Sequence, residues 1–183
     1  MSTFEYMSVM HSIVLALGIA RVLGGIADVA RDWHVLGAKW FFLGWLALLL
    51  VAHLGWWFGL WVRFGAMSEI GILTFMAWFV VPASFYVASR LLVPEFPEGS
   101  PPDLEQHFSK VRVPFFGCLV LAIVPALPGL GVADRSQWLL PVFGALALTG
   151  MLVPDRRWHI FLLWSMLTTY LIFLAFARSV LSG

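Results

Sequence analysis

The chain has 183 residues, of which 61% are hydrophobic and only 11% are charged, and its formal net charge is +1. A soluble domain carries about 25% charged residues, so this composition excludes a water-soluble globular protein. Because the charge is near zero and no basic cluster stands out, we expect no nucleic-acid partner. The single cysteine, Cys118, excludes an intrachain disulfide and a CxxC metal or redox motif.

Six apolar segments follow one another along the chain, each near the roughly 20 residues that cross a bilayer. They are residues 7–30, 39–63, 69–93, 112–132, 137–153 and 157–180. They predict an all-α, polytopic membrane protein with about six transmembrane helices in two three-helix halves. We treat residues 1–183 as a single transmembrane domain. The fifth segment is the shortest and is bracketed by Pro141 and Pro154.

The first segment carries one polar stripe through otherwise apolar sequence. Its members are His11, Gly18, Arg21, Gly25, Asp28 and Asp32, with Val14 in the gap. Their spacing of three and four residues places them on one face of a helix. An Arg inside a spanning helix costs about 2.5–3.5 kcal/mol, so it normally faces protein or water. The stripe therefore indicates either a polar path or anion site, or a hydrogen-bonded contact between helices.

Arg21 and Asp28 are too far apart for the pairing of neighbours on one helix, so Arg21 needs another partner. By depth, the candidates are Ser84, Tyr86 and Ser89 in the third segment and Ser165, Thr168 and Thr169 in the sixth. A second ridge on the first segment, Ala16, Ala20 and Gly24, has the small-residue spacing that permits close helix packing.

His53 lies in the second segment beside small residues such as Gly55. With His11 it forms a pair of imidazoles in the outer half of the membrane, which would ligate b-type haem or relay protons. A hydrogen-bonded core histidine is the commoner role, so we expect no cofactor. The carboxylates form no catalytic pair, and no metal-binding or nucleophile motif is present, which favours a protein that is not an enzyme.

Residues 94–110 form a Pro-rich acidic connection. Ser100-Pro-Pro-Asp103 predicts a helix start, with Ser100 as N-cap and a short surface helix over Pro101–Lys110 that leads into the fourth segment. Leu104 and Phe108 are expected to rest on the membrane surface, and His107 to be exposed there. A solvated linker is the alternative. Further on, Pro125 and Pro128 predict a bend or end of the fourth helix.

Basic residues at the ends of the segments predict the orientation. Seven lie on one side, namely Arg31, Lys39, Arg90, Lys110, Arg112, Arg156 and Arg157, and three on the other, Arg63, Arg135 and Arg178. The side with seven is predicted to be cytoplasmic. Six spans then place both termini outside, which in a bacterium is the periplasm.

The chain resembles a loose group of small bacterial inner-membrane proteins without an assigned activity. The resemblance covers the first two-thirds of the chain and rests on Phe4-Glu5-Tyr6 with Ser8-Val9, His53 with Trp56-Trp57, Ser89 to Pro94, and Asp103-Leu104 to His107-Phe108 followed by Phe115-Phe116. It implies a six-helix protein of the bacterial inner membrane and brings no catalytic residues.

The leading functional hypothesis is a small channel- or transporter-like protein that works as a homo-oligomer in the lipid bilayer. The polar stripe of the first helix, together with His53, would line a path for a small polar solute or an anion. One alternative is a membrane-embedded redox or lipid-modifying enzyme that uses His11 and His53. Another is a structural or assembly subunit of a membrane complex.

Overall fold

The computed structural model describes residues 3–31, 39–64, 71–95, 102–129 and 139–181. Within these ranges the chain forms six α-helices and no strand, which confirms the predicted all-α class. The helices are α1 (Thr3–Arg31), α2 (Lys39–Phe64), α3 (Ile72–Leu92), α4 (Leu104–Ile123), α5 (Leu139–Leu152) and α6 (Arg156–Leu181).

Four of the helices are long and apolar enough to cross a membrane. The qualifying stretches are Glu5–Arg31, Trp40–Leu60, Ile72–Leu92 and Leu104–Leu127. Helix α5 is also apolar but has only 14 residues. The architecture is compatible with that of a polytopic membrane protein.

The six helices close into a ring. Helix α1 packs against α2 and α3, α3 against α4, α4 against α5, α5 against α6, and α6 against α2. Aromatic side chains fill the ring where α2 meets α4. Trp45 is fully buried, and its ring centroid lies 5.8 Å from those of Phe108 and Phe115 and 5.1 Å from that of Phe116. Such pairs add about 0.5–1.5 kcal/mol each beyond burial, so this contact holds the two sides of the ring together.

Helix α4 begins one turn later than the sequence suggested. Asp103 is its N-cap, since its carboxylate accepts hydrogen bonds of 3.0 Å from the amides of Glu105 and Gln106. Ser100, the predicted cap, lies outside the described residues. The helix runs unbroken past Lys110, so the predicted surface helix is the first part of α4.

Leu104 and Phe108 face the protein interior, with 4% and 5% of their surface exposed. The expectation that they rest on the membrane surface was therefore wrong, because this face of α4 is docked against α2 and α6. The α-helix ends at Ile123, just before Pro125, and continues as a 3-10 turn over Val124–Gly129. This confirms the predicted end of the fourth helix.

The polar stripe of α1 faces the protein interior, and the small-residue ridge faces away. His11, Gly18 and Gly25 are buried, whereas Gly24 is exposed with no atom within 4 Å of a Cβ built on it. A Cβ on Gly25 would lie 2.7 Å from Cγ2 of Val93, at the end of α3. Glycine at this position therefore permits the close approach of α1 and α3.

The adjacent glycines allow a matched test of this contact. Both Gly24→Ala and Gly25→Ala gain about 0.5–1 kcal/mol of helix preference. Gly25→Ala also forces a methyl group against Val93, an overpacking effect of about 1–3 kcal/mol. We expect Gly24→Ala to melt at or above the wild-type temperature in detergent and Gly25→Ala to melt below it.

The double variant Gly25→Ala/Val93→Ala is the control, because it removes the side chain that the new methyl group meets. It should melt closer to Gly24→Ala than Gly25→Ala alone does. Equal melting of the two single variants would show that α1 and α3 are not in close contact at Gly25.

Candidate functional site

The candidate site is the buried polar face of α1 where it meets α2 and α3. Near its amino-terminal end, His11 is fully buried. Its Nδ1 donates to the carbonyl of Met7 over 2.8 Å, and its ring packs edge-on against Phe75 and Phe79 of α3 at 5.8 and 5.5 Å. The main-chain carbonyl of Trp78 also faces the ring, although Nε2 does not meet hydrogen-bond geometry. The ring is thus held between main-chain carbonyls of α1 and α3.

Gly18 of α1, His53 of α2 and Ser89 of α3 meet two turns further along. A Cβ on Gly18 would collide with the imidazole of His53, so the glycine makes room for that ring. His53 is fully buried, and its Nδ1 donates to the carbonyl of Leu49 over 2.7 Å. Its Nε2 lies 3.5 Å from the hydroxyl of Ser89, which itself donates to the carbonyl of Phe85 over 2.8 Å.

The serine hydroxyl has only one hydrogen to donate. If that hydrogen lies on the carbonyl of Phe85, a hydrogen bond between His53 and Ser89 requires that Nε2 carries a proton and donates it to the hydroxyl oxygen. In the neutral imidazole the only ring hydrogen is on Nδ1, so Nε2 and the carbonyl of Phe85 are alternative acceptors for the hydrogen of Ser89.

Arg21 binds the carboxyl-terminal end of α3. Its Nη2 donates to the carbonyls of Val93 and Pro94 over 2.9 and 3.3 Å. These are main-chain atoms, so Arg21 does not use the predicted side-chain partners Ser84, Tyr86 or Ser89. The last carbonyls of a helix have no partner within the helix, and a cation is favourable there.

A second side chain, His107 of α4, completes this cap. Its Nε2 lies 3.0 Å from the carbonyls of both Leu91 and Leu92, to which it donates. Sequence reasoning missed this role and expected His107 to be exposed, which was wrong. Arg21 and His107 together contact four consecutive carbonyls at the end of α3. They join α1, α3 and α4 at one point.

The far end of the stripe does not belong to this buried network. Asp28 forms an ion pair of 3.4 Å with Arg31 of the same helix, and the two side chains are 28% and 73% exposed. Asp32 lies outside the described residues. The structure therefore brings His53 against Gly18, directs His11 and Gly25 inward at other levels of α1, and leaves Asp28 partly exposed.

The two imidazoles do not fit a shared haem iron. His53 lies against Gly18, which is seven residues from His11 and so about 10 Å along the helix axis. The ring of His11 is instead packed against two phenylalanines of α3. In the described part of the chain, no group of three or more His, Cys, Asp and Glu residues is placed to hold a metal ion.

Comparison with known proteins adds no assignment. No family model matches the chain, and no curated protein or solved structure shows significant similarity to it. The resemblance to small bacterial inner-membrane proteins therefore stays a prediction, and the function has to be argued from the site.

The helix cap makes a direct prediction. Arg21→Met keeps the bulk of the side chain but removes two charge-assisted hydrogen bonds, each worth about 1.5–3 kcal/mol. We expect it to unfold more readily in detergent than Arg31→Met, which removes an exposed cation from the same helix. His107→Leu should destabilise the protein in the same direction.

Because both side chains hold the same helix end, the effects of Arg21→Met and His107→Leu should not add. A double-mutant cycle of unfolding free energies measures this coupling. Strict additivity, or an Arg21→Met variant as stable as Arg31→Met, would contradict a shared cap on α3.

Proposed function

We propose that this chain is a six-span protein of the bacterial inner membrane with both termini in the periplasm. Helices α5 and α6 lie in the same ring as the four helices that are long enough to span, which supports a spanning position for them. Helix α5 is about 21 Å long, so flanking residues would complete its span. The helices α1–α3 and α4–α6 are the two three-helix halves. The excess of basic residues on one side supports the orientation.

We further propose that the protein is channel- or transporter-like, with a path for a small polar solute or an anion along the buried face of α1. The observation that carries this proposal is the line of polar groups between the helices, formed by the buried His11, His53 and Ser89 and the partly buried Arg21. Ionisable groups inside a membrane are costly and typically mark solute or proton pathways. Nε of Arg21 is buried without a hydrogen-bond partner, so it would be available to contact a solute or its water.

In the arrangement seen here the path is closed. Gly18 and Gly25 bring α1 into direct contact with His53 and Val93, which leaves no room for a solute between them. Passage would require α1 to move away from α3, which breaks the bonds of Arg21 to the carbonyls of Val93 and Pro94. Rocking of one helix group against another is how many transporters expose a central site.

Reconstitution into vesicles tests the path. Arg21→Leu should still insert, since leucine removes the insertion cost of arginine. It should abolish flux of small anions or polar solutes, measured by vesicle swelling or an entrapped anion-sensitive dye. Arg31→Leu is the matched control and should retain flux, because Arg31 is exposed at the end of α1. Equal flux through wild type and Arg21→Leu would show that the polar face is purely structural.

A structural or assembly subunit is the second candidate. The hydrogen bonds of Arg21, and those that His107 and Nδ1 of His53 donate, end on main-chain carbonyls of this chain. That pattern is typical of groups that fix helix positions. A wild-type protein without flux that co-purifies with one stoichiometric partner would favour this candidate over the path.

Self-association is part of the proposal. The ridge formed by Ala16, Ala20 and Gly24 is exposed, while the polar stripe on the neighbouring face is used within the protomer. Small residues at this spacing let two helices approach closely, so the ridge suits a second copy of the chain.

Gly24→Leu should weaken that assembly, because leucine separates the two ridges. Ala47→Leu, an equally exposed change on α2, is the control and should leave the mass unchanged. The mass measured in detergent is compared with 20.5 kDa, the mass of one chain. A monomeric wild type would contradict the homo-oligomer.

A further inference from the structure

A second buried polar cluster lies away from α1, where α4 meets the beginning of α6. On α4, Phe108, Arg112 and Phe116 follow one another at intervals of four residues and so share a face. The ring of His159 contacts both phenylalanines, at 5.3 and 5.6 Å, and therefore covers the face that carries Arg112. His159 is only 2% exposed.

Three nitrogen atoms of this cluster have no hydrogen-bond partner. They are Nη1 of Arg112 and both ring nitrogens of His159, and all three are buried. The carbonyl of Val153 faces the imidazole without meeting hydrogen-bond geometry. A buried polar atom without a partner costs about 1–3 kcal/mol, and more when the group is charged. The two ring nitrogens point in diverging directions, so a single polar ligand would meet Nη1 of Arg112 and one nitrogen of His159.

The nearby carboxylates are already engaged. Glu105 forms an ion pair with Arg156. Asp155 lies near His159, and its carboxylate accepts a hydrogen bond of 2.9 Å from the amide of Arg157 at the start of α6. Among the residues that the structure describes, Arg112 therefore has no carboxylate as counter-ion. A ligand that matches the charge of Arg112 would therefore be an anion.

We propose that Arg112 and His159 bind a phosphate-type oxyanion, either the headgroup of an anionic phospholipid or free phosphate. Arginine offers a planar pair of donors that matches phosphate oxygens, and a ring nitrogen of His159 adds another donor. The amino-terminal end of α6 is already capped by the carboxylate of Asp155, so the side chains of Arg112 and His159 would hold the anion.

The position of the cluster fits a membrane surface. Ser109 and Lys110, less than one turn before Arg112, are exposed. Lys110, Arg112, Arg156 and Arg157 all belong to the side with the basic excess, and basic pockets between helices on that side are typical binding places for anionic headgroups. The inference is independent of the path along α1, since the two share no residue.

The test uses the full-length protein, delipidated in a neutral detergent. One arm titrates inorganic phosphate. The other transfers the protein to bilayers of phosphatidylcholine with and without phosphatidylglycerol. Bound lipid is counted by native mass spectrometry, and stability is followed by thermal melting in both arms.

We expect the anion to raise the melting temperature of the wild type. Arg112→Gln and His159→Phe should bind it about tenfold or more weakly, as the loss of one charge-assisted hydrogen bond predicts. Phenylalanine keeps the ring contacts of His159. Arg31→Gln removes the same charge from an exposed residue of α1 and should bind within about twofold of wild type, since surface charges contribute little.

The two arms separate the sources of the anion. Stabilisation by inorganic phosphate alone identifies free phosphate as the ligand, and a response to phosphatidylglycerol alone identifies a lipid headgroup. No response of the wild type in either arm would overturn the proposal, because water would then suffice for the unpartnered atoms. If Arg112→Gln fails to fold, Arg112→Lys keeps the charge but loses the paired donors and should still bind more weakly.

Discussion

The end of α3 is the constraint on which the rest of the structure depends. The last carbonyls of a helix have no partner within that helix, so their donors come from other parts of the protein or from water. Here they come from Arg21 of α1 and His107 of α4. Because the two donors belong to different helices, one helix end sets the positions of three helices. An ionisable group that would be costly alone in lipid thereby becomes a link between helices.

Glycines set how closely the other helices approach. Gly18 makes room for the ring of His53, Gly55 for the hydroxyl of Tyr170, and Gly150 for the ring of Phe116. Tyr170 in turn donates to the carbonyl of Val51 over 3.1 Å, which ties α6 to α2 and closes the ring. The contacts at Gly18 and Gly25 likewise bring the polar face of α1 directly against His53 and Val93.

The two polar clusters of the molecule differ in kind. On the buried face of α1, the side chains of His11 and Arg21 donate hydrogen bonds to main-chain carbonyls. Nε of Arg21 has no partner, but it belongs to a guanidinium group that is already bonded through Nη2. At the junction of α4 and α6 a cation and both nitrogens of an imidazole lack partners together. The first pattern suits a path or a structural contact that opens by movement, and the second suits a bound anion. The aromatic interior around Trp45 and Phe108 supports the second cluster directly, because Phe108 contacts both Trp45 and His159.

The sequence by itself determined the six helices and the inward direction of the polar stripe. Long apolar runs, Pro125 and the spacing from His11 to Gly25 act locally along the chain, so they can be read without the fold. Only the tertiary structure decided which groups these side chains contact. Arg21 binds carbonyls, which every residue carries and no sequence pattern marks. The inward direction of Phe108 and the meeting of Arg112 with His159 depend on how α4 docks against α2 and α6, and that is set by contacts between residues distant in the chain.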